Sequence, residues 1–417
     1  MDQGISKGGR LLRGGERFGA RPGPFARLFA PGFHKVIDAV DRGLETGAIH
    51  AALPDGTRRL LGGRAPGFEC EVALHDWRAL VRLATGGSAG WYQAWAAGEW
   101  SSPDPVPLFA LFMANGESLG ETARAKGPWR LAARALHRLN RNSRAGARRN
   151  IHAHYDLGND FYAAWLGATM LYSSALFEED RHDLDAAQWR KCEAMLARAA
   201  VPPGGKLLEI GCGWGTLALA GARAGAQVEA ISLSGDQLAW CRAQPVPPGA
   251  AVEFRKQDYR DVAGEYDGIV SVEMVEALGR EYWPAFMDCL ARNLKPGGRA
   301  AIQFISIREE LFDSYARNAD FIQAYVFPGG LLIRTAEFRR LAEERGLAWE
   351  DQRDFGQHYA ETLRIWRAAF DRAVAGNRLP PGFDARFCAL WRYYLMYCEG
   401  GFRGGGIEVS QVTLVKD

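Results

Sequence analysis

The segment that most constrains this chain is Leu207-Leu208-Glu209-Ile210-Gly211-Cys212-Gly213-Trp214-Gly215, an apolar strand that runs directly into a glycine-rich turn. Such a turn lets the backbone pass close to a nucleotide, where a Cβ would obstruct it. The Lys-Ser/Thr of a phosphate-binding loop is missing, so the turn suits an uncharged adenosine moiety better than a polyphosphate. A strand followed by a turn of this kind belongs to an α/β fold with a parallel sheet, and the rest of the chain reads accordingly.

With 417 residues, 47% of them hydrophobic and 24% charged, the chain has ample material for two or three domains. Residues 1–30 are dominated by glycine and arginine and read as a flexible segment. A small α+β domain is expected over 31–115. Its strands lie near Ile49–Leu53 and Glu69–Leu74, its helices at Trp77–Ala84 and Gly90–Ala97, and the apolar run Leu108–Met113 packs them together. Residues 116–150 form a basic linker. Between Thr122 and Arg149 it holds Arg134, Arg138, Arg141 and Arg144 among other cations, no Asp or Glu, and interleaved Trp129, Leu131, Leu136 and Leu139. That pattern fits either an amphipathic helix on an anionic membrane surface or a solvated linker. No nucleic-acid motif accompanies the charge, so nucleic acid is not expected as a partner.

From 151 to 417 strands and helices alternate, which predicts a seven-stranded, Rossmann-like parallel sheet covered by helices on both faces. The strands are expected at Lys206–Gly211, Gln227–Leu233, Val252–Gln257, Tyr266–Val272, Arg299–Ser306, Trp349–Asp354 and Ile407–Lys416. Helices are expected at Gln188–Ala199 and Glu281–Leu294, and Lys295-Pro296-Gly297-Gly298 forms a turn before the fifth strand. Two aromatic-rich insertions, Ile307–Arg345 and Phe355–Gly406, sit where such folds build ligand sites and predict an apolar substrate. The seven cysteines are scattered without metal spacing, which points to a reducing, cytoplasmic compartment and no metal site. The N-terminus has no signal-peptide pattern, and no apolar run is long enough to span a membrane.

The nucleoside site is expected to combine Glu209, Gly211, Gly213 and Gly215 with the ends of the next two strands. A nicotinamide dinucleotide would need an acidic residue at the end of the second strand. Here that strand ends in Ser232 and Leu233, with Gln237 one turn on. The third ends in Gln257-Asp258-Tyr259, where Asp258 can accept from an exocyclic amine and Tyr259 can cover an adenine face. With the Lys-Pro-Gly-Gly turn, this ordered set fits the S-adenosylmethionine-dependent class I methyltransferases.

Further motifs sharpen that assignment. They are His154-Tyr155-Asp156-Leu157-Gly158-Asn159-Asp160, Tyr172-Ser173, Ser271-Val272-Glu273-Met274-Val275-Glu276, Phe327-Pro328-Gly329-Gly330, His358-Tyr359-Ala360-Glu361-Thr362-Leu363 and Cys398-Glu399-Gly400-Gly401-Phe402-Arg403. In their order the chain resembles the cyclopropane fatty acid synthases, including the mycolic acid cyclopropane synthases, closely from about Asn150 onward. The resemblance implies an enzyme that transfers a methylene or methyl group from S-adenosylmethionine to cis double bonds of acyl chains; with the small N-terminal domain and the basic linker, a peripheral membrane enzyme acting on phospholipids is expected. A homodimer is left open. Tyr172 and Ser173 join the cofactor set.

Such chemistry passes through a carbocation. It demands exclusion of water, stabilisation of positive charge, and a base beside the transferred carbon. The resemblance implies a bound bicarbonate as base, held by a glutamate at Glu276 and a tyrosine at Tyr359. The family's cysteine and histidine ligand positions are Ser174 and Gln303 here, and the residue after Glu276 is Ala277. Ser and Gln can hydrogen-bond an anion but carry no positive charge. His358 is therefore a further candidate base. Cys398 is an active-site thiol by the resemblance, and an inert buried cysteine by the chemistry, which needs no thiolate. The departures leave both a cyclopropane and a methyl- or methylene-branched product open. A small-amine N-methyltransferase on the same core is the alternative.

Overall fold

The computed structural model describes residues 8–16, 30–120, 157–178, 183–246, 248–318 and 320–417. The basic stretch Thr122–Arg149 and His154-Tyr155-Asp156 lie outside the described residues. The chain divides into two compact units that do not follow chain order: 1–141 with 308–329 and 381–407, and 142–307 with 330–380 and 408–417.

The first unit holds a four-stranded sheet in the order β2-β1-β3-β4, with β1 at Ala48–Ala52, β2 at Arg58–Gly62, β3 at Glu69–Leu74 and β4 at Trp100–Ser101. In β3, Cys70, Val72 and Leu74 point inward, the period-2 alternation of a half-buried strand. The two expected helices are present within Arg78–Ala96, separated at Gly87, whose φ of +56° and ψ of −140° are not helical. The leading segment, read as flexible, contains a helix at Gly9–Glu16 with Leu11 and Leu12 buried. A Cβ on Gly15 would lie 2.2 Å from the Tyr325 ring. Its order therefore depends on a residue far along the chain, which local composition does not reveal.

Most aromatics of the predicted insertions are core of this unit. Phe312, Phe321, Trp391 and Tyr393 are fully buried, and Phe321 meets Tyr393 at 4.8 Å between ring centres. Tyr92 meets Tyr325 at the same spacing. Such interlocked rings fill volume against one another rather than lining a substrate site.

The second unit is built on a seven-stranded sheet in the order β10-β11-β9-β8-β5-β6-β7. The strands are β5 Lys206–Ile210, β6 Gln227–Ser232, β7 Ala251–Lys256, β8 Tyr266–Val272, β9 Leu294–Ile307, β10 Leu347–Asp354 and β11 Ile407–Lys416. Leu207, Leu208 and Ile210 are buried on both faces of β5, as a central parallel strand requires. The ladders among β5 to β9 are parallel, but β10 pairs with β11 antiparallel, Leu347 opposite Lys416. The all-parallel expectation fails there because the last strand runs beside β10 in the opposite direction, a common edge arrangement. Lys295–Gly298 is a bulge inside β9: Tyr266 faces Leu294 while Gly268 already faces Arg299. Pro296, which has no N–H to give a ladder, is tolerated at such a bulge. The sheet order reverses between β5 and β8, so their carboxyl ends open the crevice in which this fold binds ligands.

Candidate functional site

The glycine turn follows β5 at that crevice. Gly211, Gly213 and Gly215 all take positive φ. At Gly211 and Gly215 an added Cβ would meet Met274 and the Cys241 Sγ at 2.9 Å. At Gly213 it would meet nothing within 4 Å, so this residue faces open space and leaves the cradle a close-lying ligand needs. The turn is held from outside by Asn159, whose Oδ1 accepts from Trp214 Nε1 at 2.8 Å and whose amide donates to the Asp236 carbonyl at 3.2 Å. Leu157-Gly158-Asn159 and the glycine turn, fifty residues apart, are thus parts of one site.

Polar atoms around the turn await partners. Glu209 is buried, and its carboxylate accepts from the Ala218 backbone in the first turn of the helix Thr216–Arg223, but Oε2 has no partner. Burial pushes its pKa up to about 8, against the opposing charge of Lys191. Lys191, fully buried, has its own pKa lowered by desolvation and donates to Ser173 Oγ at 2.6 Å. At the end of β6, Ser232 Oγ donates to Gln237 Oε1 at 3.2 Å, leaving the buried Gln237 Nε2 unpartnered. Ser232 and the half-buried Leu233 border the same crevice end. A nucleoside offers hydroxyls and ring nitrogens of the kind these atoms lack. The residues present therefore fit the adenosine portion of S-adenosylmethionine.

Two expected members differ in detail. Asp258 is gripped by Arg260, with Oδ1 at 2.8 Å from Nε and Oδ2 at 2.6 Å from a terminal nitrogen. The Tyr259 ring packs edge-on to Phe286 at 5.9 Å under the Arg260 guanidinium, and its hydroxyl is unpartnered. Neither arrangement is legible in the sequence, because both depend on where the Arg260 side chain folds back. Tyr172 sits among Tyr162, Trp165 and Trp366, with ring centres 5.4 to 6.0 Å away.

The second cluster lies at the carboxyl end of β8. Its centre is Glu273, a residue the sequence reading quoted but gave no role. Glu273 Oε1 accepts from the Ser174 backbone N–H at 2.9 Å and from Gln303 Nε2 at 2.8 Å, and Oε2 accepts from the Tyr359 hydroxyl at 2.7 Å. The Gln303 carbonyl is in turn held by Gln411 Nε2 at 3.0 Å, which aims the Gln303 amide at the carboxylate. Ser174 Oγ turns away to the Ala175 carbonyl. Glu273 has φ +48°, a left-handed backbone costly for a side chain with a Cβ, and its N–H donates to the Gln303 carbonyl at 2.8 Å. Its position, the first residue beyond β8, was the signal available in the sequence.

Glu276, the expected anion ligand, is placed differently. Its Oε1 accepts from the Ile305 backbone N–H, and Oε2 is buried without a partner. Burial, then the charge of Glu273, raises its pKa to about 8, so at neutral pH it is a carboxylic acid. Glu276 was the expected anion ligand, but the donors expected around an anion, at Ser174, Gln303 and Tyr359, converge on Glu273 instead. Burial raises the Glu273 pKa too, but hydrogen bonds from Tyr359, Ser174 and Gln303 oppose the shift. A bound bicarbonate does not fit this arrangement, because the donors that would hold it are engaged by the Glu273 carboxylate.

His358 is part of the wall. Its Nδ1 accepts from the Phe177 backbone N–H at 3.0 Å, which engages that lone pair and places the ring proton of the neutral form on Nε2. Its carbonyl accepts from Thr362 Oγ1, which accepts from Ala175 N–H at 3.1 Å, so the segment carrying Ser174 is pinned to the helix carrying Tyr359. Cys398 lies in the first unit on the helix Ala385–Arg403, where burial pushes its thiol far up. A thiol so shifted stays protonated. Among the described residues no cluster could hold a metal ion, and no helix is long and apolar enough to cross a membrane.

A seven-stranded sheet with a glycine turn at its switch point and unpartnered polar atoms around it defines a class I methyltransferase. Residues 142–412 match the family described as mycolic acid cyclopropane synthetase. The chain belongs to this family and is an S-adenosylmethionine-dependent methyltransferase. It is 37% identical over 376 residues to the tuberculostearic acid methyltransferase UfaA1 of Mycobacterium tuberculosis, covering 85% of this chain and 84% of that one. It is 30% identical over 355 residues to the cyclopropane-fatty-acyl-phospholipid synthase of Escherichia coli K12, covering 85% and 89%. The solved structure of mycolic acid cyclopropane synthase CmaA1 complexed with SAH and CTAB is similar at a TM-score of 0.60 and 28% identity, over 64% of this chain and 98% of that one.

Proposed function

We propose that this protein methylates the cis double bond of unsaturated acyl chains in phospholipids and yields an open-chain, methyl- or methylene-branched product. The buried Ser174–Glu273–Gln303–Tyr359 cluster carries the reading. A single carboxylate, oriented by neutral donors and walled off from bulk water, meets the demands of a reaction through a carbocation. When bound, S-adenosylmethionine supplies an electrophilic methyl group. The glycine turn, Glu209, Ser232 and Gln237 hold its nucleoside, while Tyr172 and its aromatic neighbours offer ring faces to positive charge.

The open-chain product is supported by likeness to a tuberculostearic acid methyltransferase and by the departures at Ser174, Gln303 and Ala277 from the ligand set the family resemblance implies. Ring closure to a cyclopropane is the second reading, supported by likeness to the Escherichia coli synthase. Both products arise from one cation and differ in whether a hydride shift precedes loss of the proton. The basic stretch Thr122–Arg149 would dock the enzyme peripherally on an anionic membrane from the cytoplasmic side.

The test is incubation of the purified protein with methyl-labelled S-adenosylmethionine and vesicles of unsaturated phospholipid, followed by mass spectrometry and proton NMR of the fatty acids. A labelled chain with vinylidene or methyl-branch resonances supports the main reading, and cyclopropyl resonances the second. Label entering small amines and no lipid would overturn both.

A further inference from the structure

The site described above contains a carboxylate exactly where its donors converge, and the resemblance assigns that place to an added anion. We infer that Glu273 is the internal general base of this enzyme, in place of bicarbonate. The inference rests on the lipid-methylation reading and deepens it.

The geometry carries the assignment. Glu273 Oε1 is saturated by Ser174 N–H and Gln303 Nε2, whereas Oε2 accepts only from the Tyr359 hydroxyl at 2.7 Å and keeps a lone pair. Glu273 as a residue is only partly buried. Gln411 fixes the Gln303 amide, so the donors are set before any substrate arrives. The strained backbone of Glu273 persists because these contacts over-determine it, as occurs at functional sites. Three donors converge on the Glu273 carboxylate, whereas Glu276 accepts from the Ile305 N–H and keeps an unpartnered oxygen, so the site is built to stabilise charge on Glu273, and burial raises its basicity.

The step balances as follows. The methylated acyl chain carries one positive charge. Glu273 Oε2 takes one proton from the transferred methyl carbon. The electron pair of the broken C–H bond stays in the chain, as the new C=C bond after a hydride shift or as the closing bond of a ring. The chain becomes neutral and Glu273 becomes a carboxylic acid, which then releases its proton to solvent.

The test uses two variants of the full-length protein. Glu273→Gln should lower kcat at least ~100-fold while S-adenosylmethionine affinity, read by calorimetry, stays within twofold. Glu273→Gly should fold, because glycine relieves the positive φ, and should leave Ser174 N–H, Gln303 and Tyr359 facing a vacated space. Calorimetry should then detect formate or bicarbonate binding to Glu273→Gly and not to the wild type. Added formate should restore turnover of that variant. Wild-type turnover that rises with bicarbonate, or a fully active Glu273→Gln, would overturn the base role alone. So would formate that binds Glu273→Gly without restoring turnover. A wild type inactive on every unsaturated lipid would overturn the lipid reading and the base role together.

Discussion

Replacing Glu276 by glutamine should stabilise this protein in a pH-dependent way. The folded protein raises the Glu276 pKa from 4.5 to about 8, burial being the larger cause and the Glu273 charge the smaller. A folded state that holds a proton more tightly than the unfolded chain loses stability as pH rises from the unfolded value through the folded one. The window here is pH 4.5 to about 8. At about 1.4 kcal/mol per pH unit, the full shift sets a ceiling near 5 kcal/mol. Relaxation of the site and entry of water on ionisation lower that ceiling, so about 1–2 kcal/mol is the expected gain. Glutamine keeps the shape of the protonated acid and cannot ionise. Differential scanning calorimetry of variant and wild type should therefore give equal Tm near pH 4.5, and a variant higher by about 1–2 °C near pH 8. Turnover should stay within about tenfold of wild type, in contrast to the loss expected at Glu273. A Tm difference that does not change with pH would refute the reasoning, since it would place the charge of the pair on Glu276.

Other outcomes follow from the same geometry. Gly213→Val fills the open face of the turn, and S-adenosylmethionine binding by calorimetry should be lost while the circular dichroism spectrum is kept; unchanged affinity would remove the nucleoside from this turn. Asn159→Ala removes the link between Trp214 and Asp236, and should weaken cofactor binding about fivefold to tenfold, the equivalent of about one hydrogen bond. Replacing Arg134, Arg138, Arg141 and Arg144 together by Gln should reduce sedimentation with anionic vesicles, at about 1 kcal/mol per cation near the surface, without changing affinity for free S-adenosylmethionine. Equal binding of wild type to neutral and anionic vesicles would leave the stretch a linker.

The apolar runs of β5 and β8, the glycines after β5 and the spacing of the later strands were readable because local pattern encodes them: a buried central strand must be apolar, and a turn with positive φ must carry glycine. The order of the family's motifs carried the class of chemistry in the same way. Other features depend on partners distant in the chain. The helix Gly9–Glu16 packs on Tyr325, and insertion aromatics are core because they meet rings of the small N-terminal domain such as Tyr92. The distinction between Glu273 and Glu276 is of this kind. Both are glutamates beyond one strand, three residues apart, and their distance from the end of β8 is the local difference between them. Only the folded chain brings Ser174, Gln303 and Tyr359 onto the first and leaves the second with the Ile305 N–H and an unpartnered oxygen. Which carboxylate keeps its charge is decided by where the donors converge, and that convergence exists only in the tertiary structure.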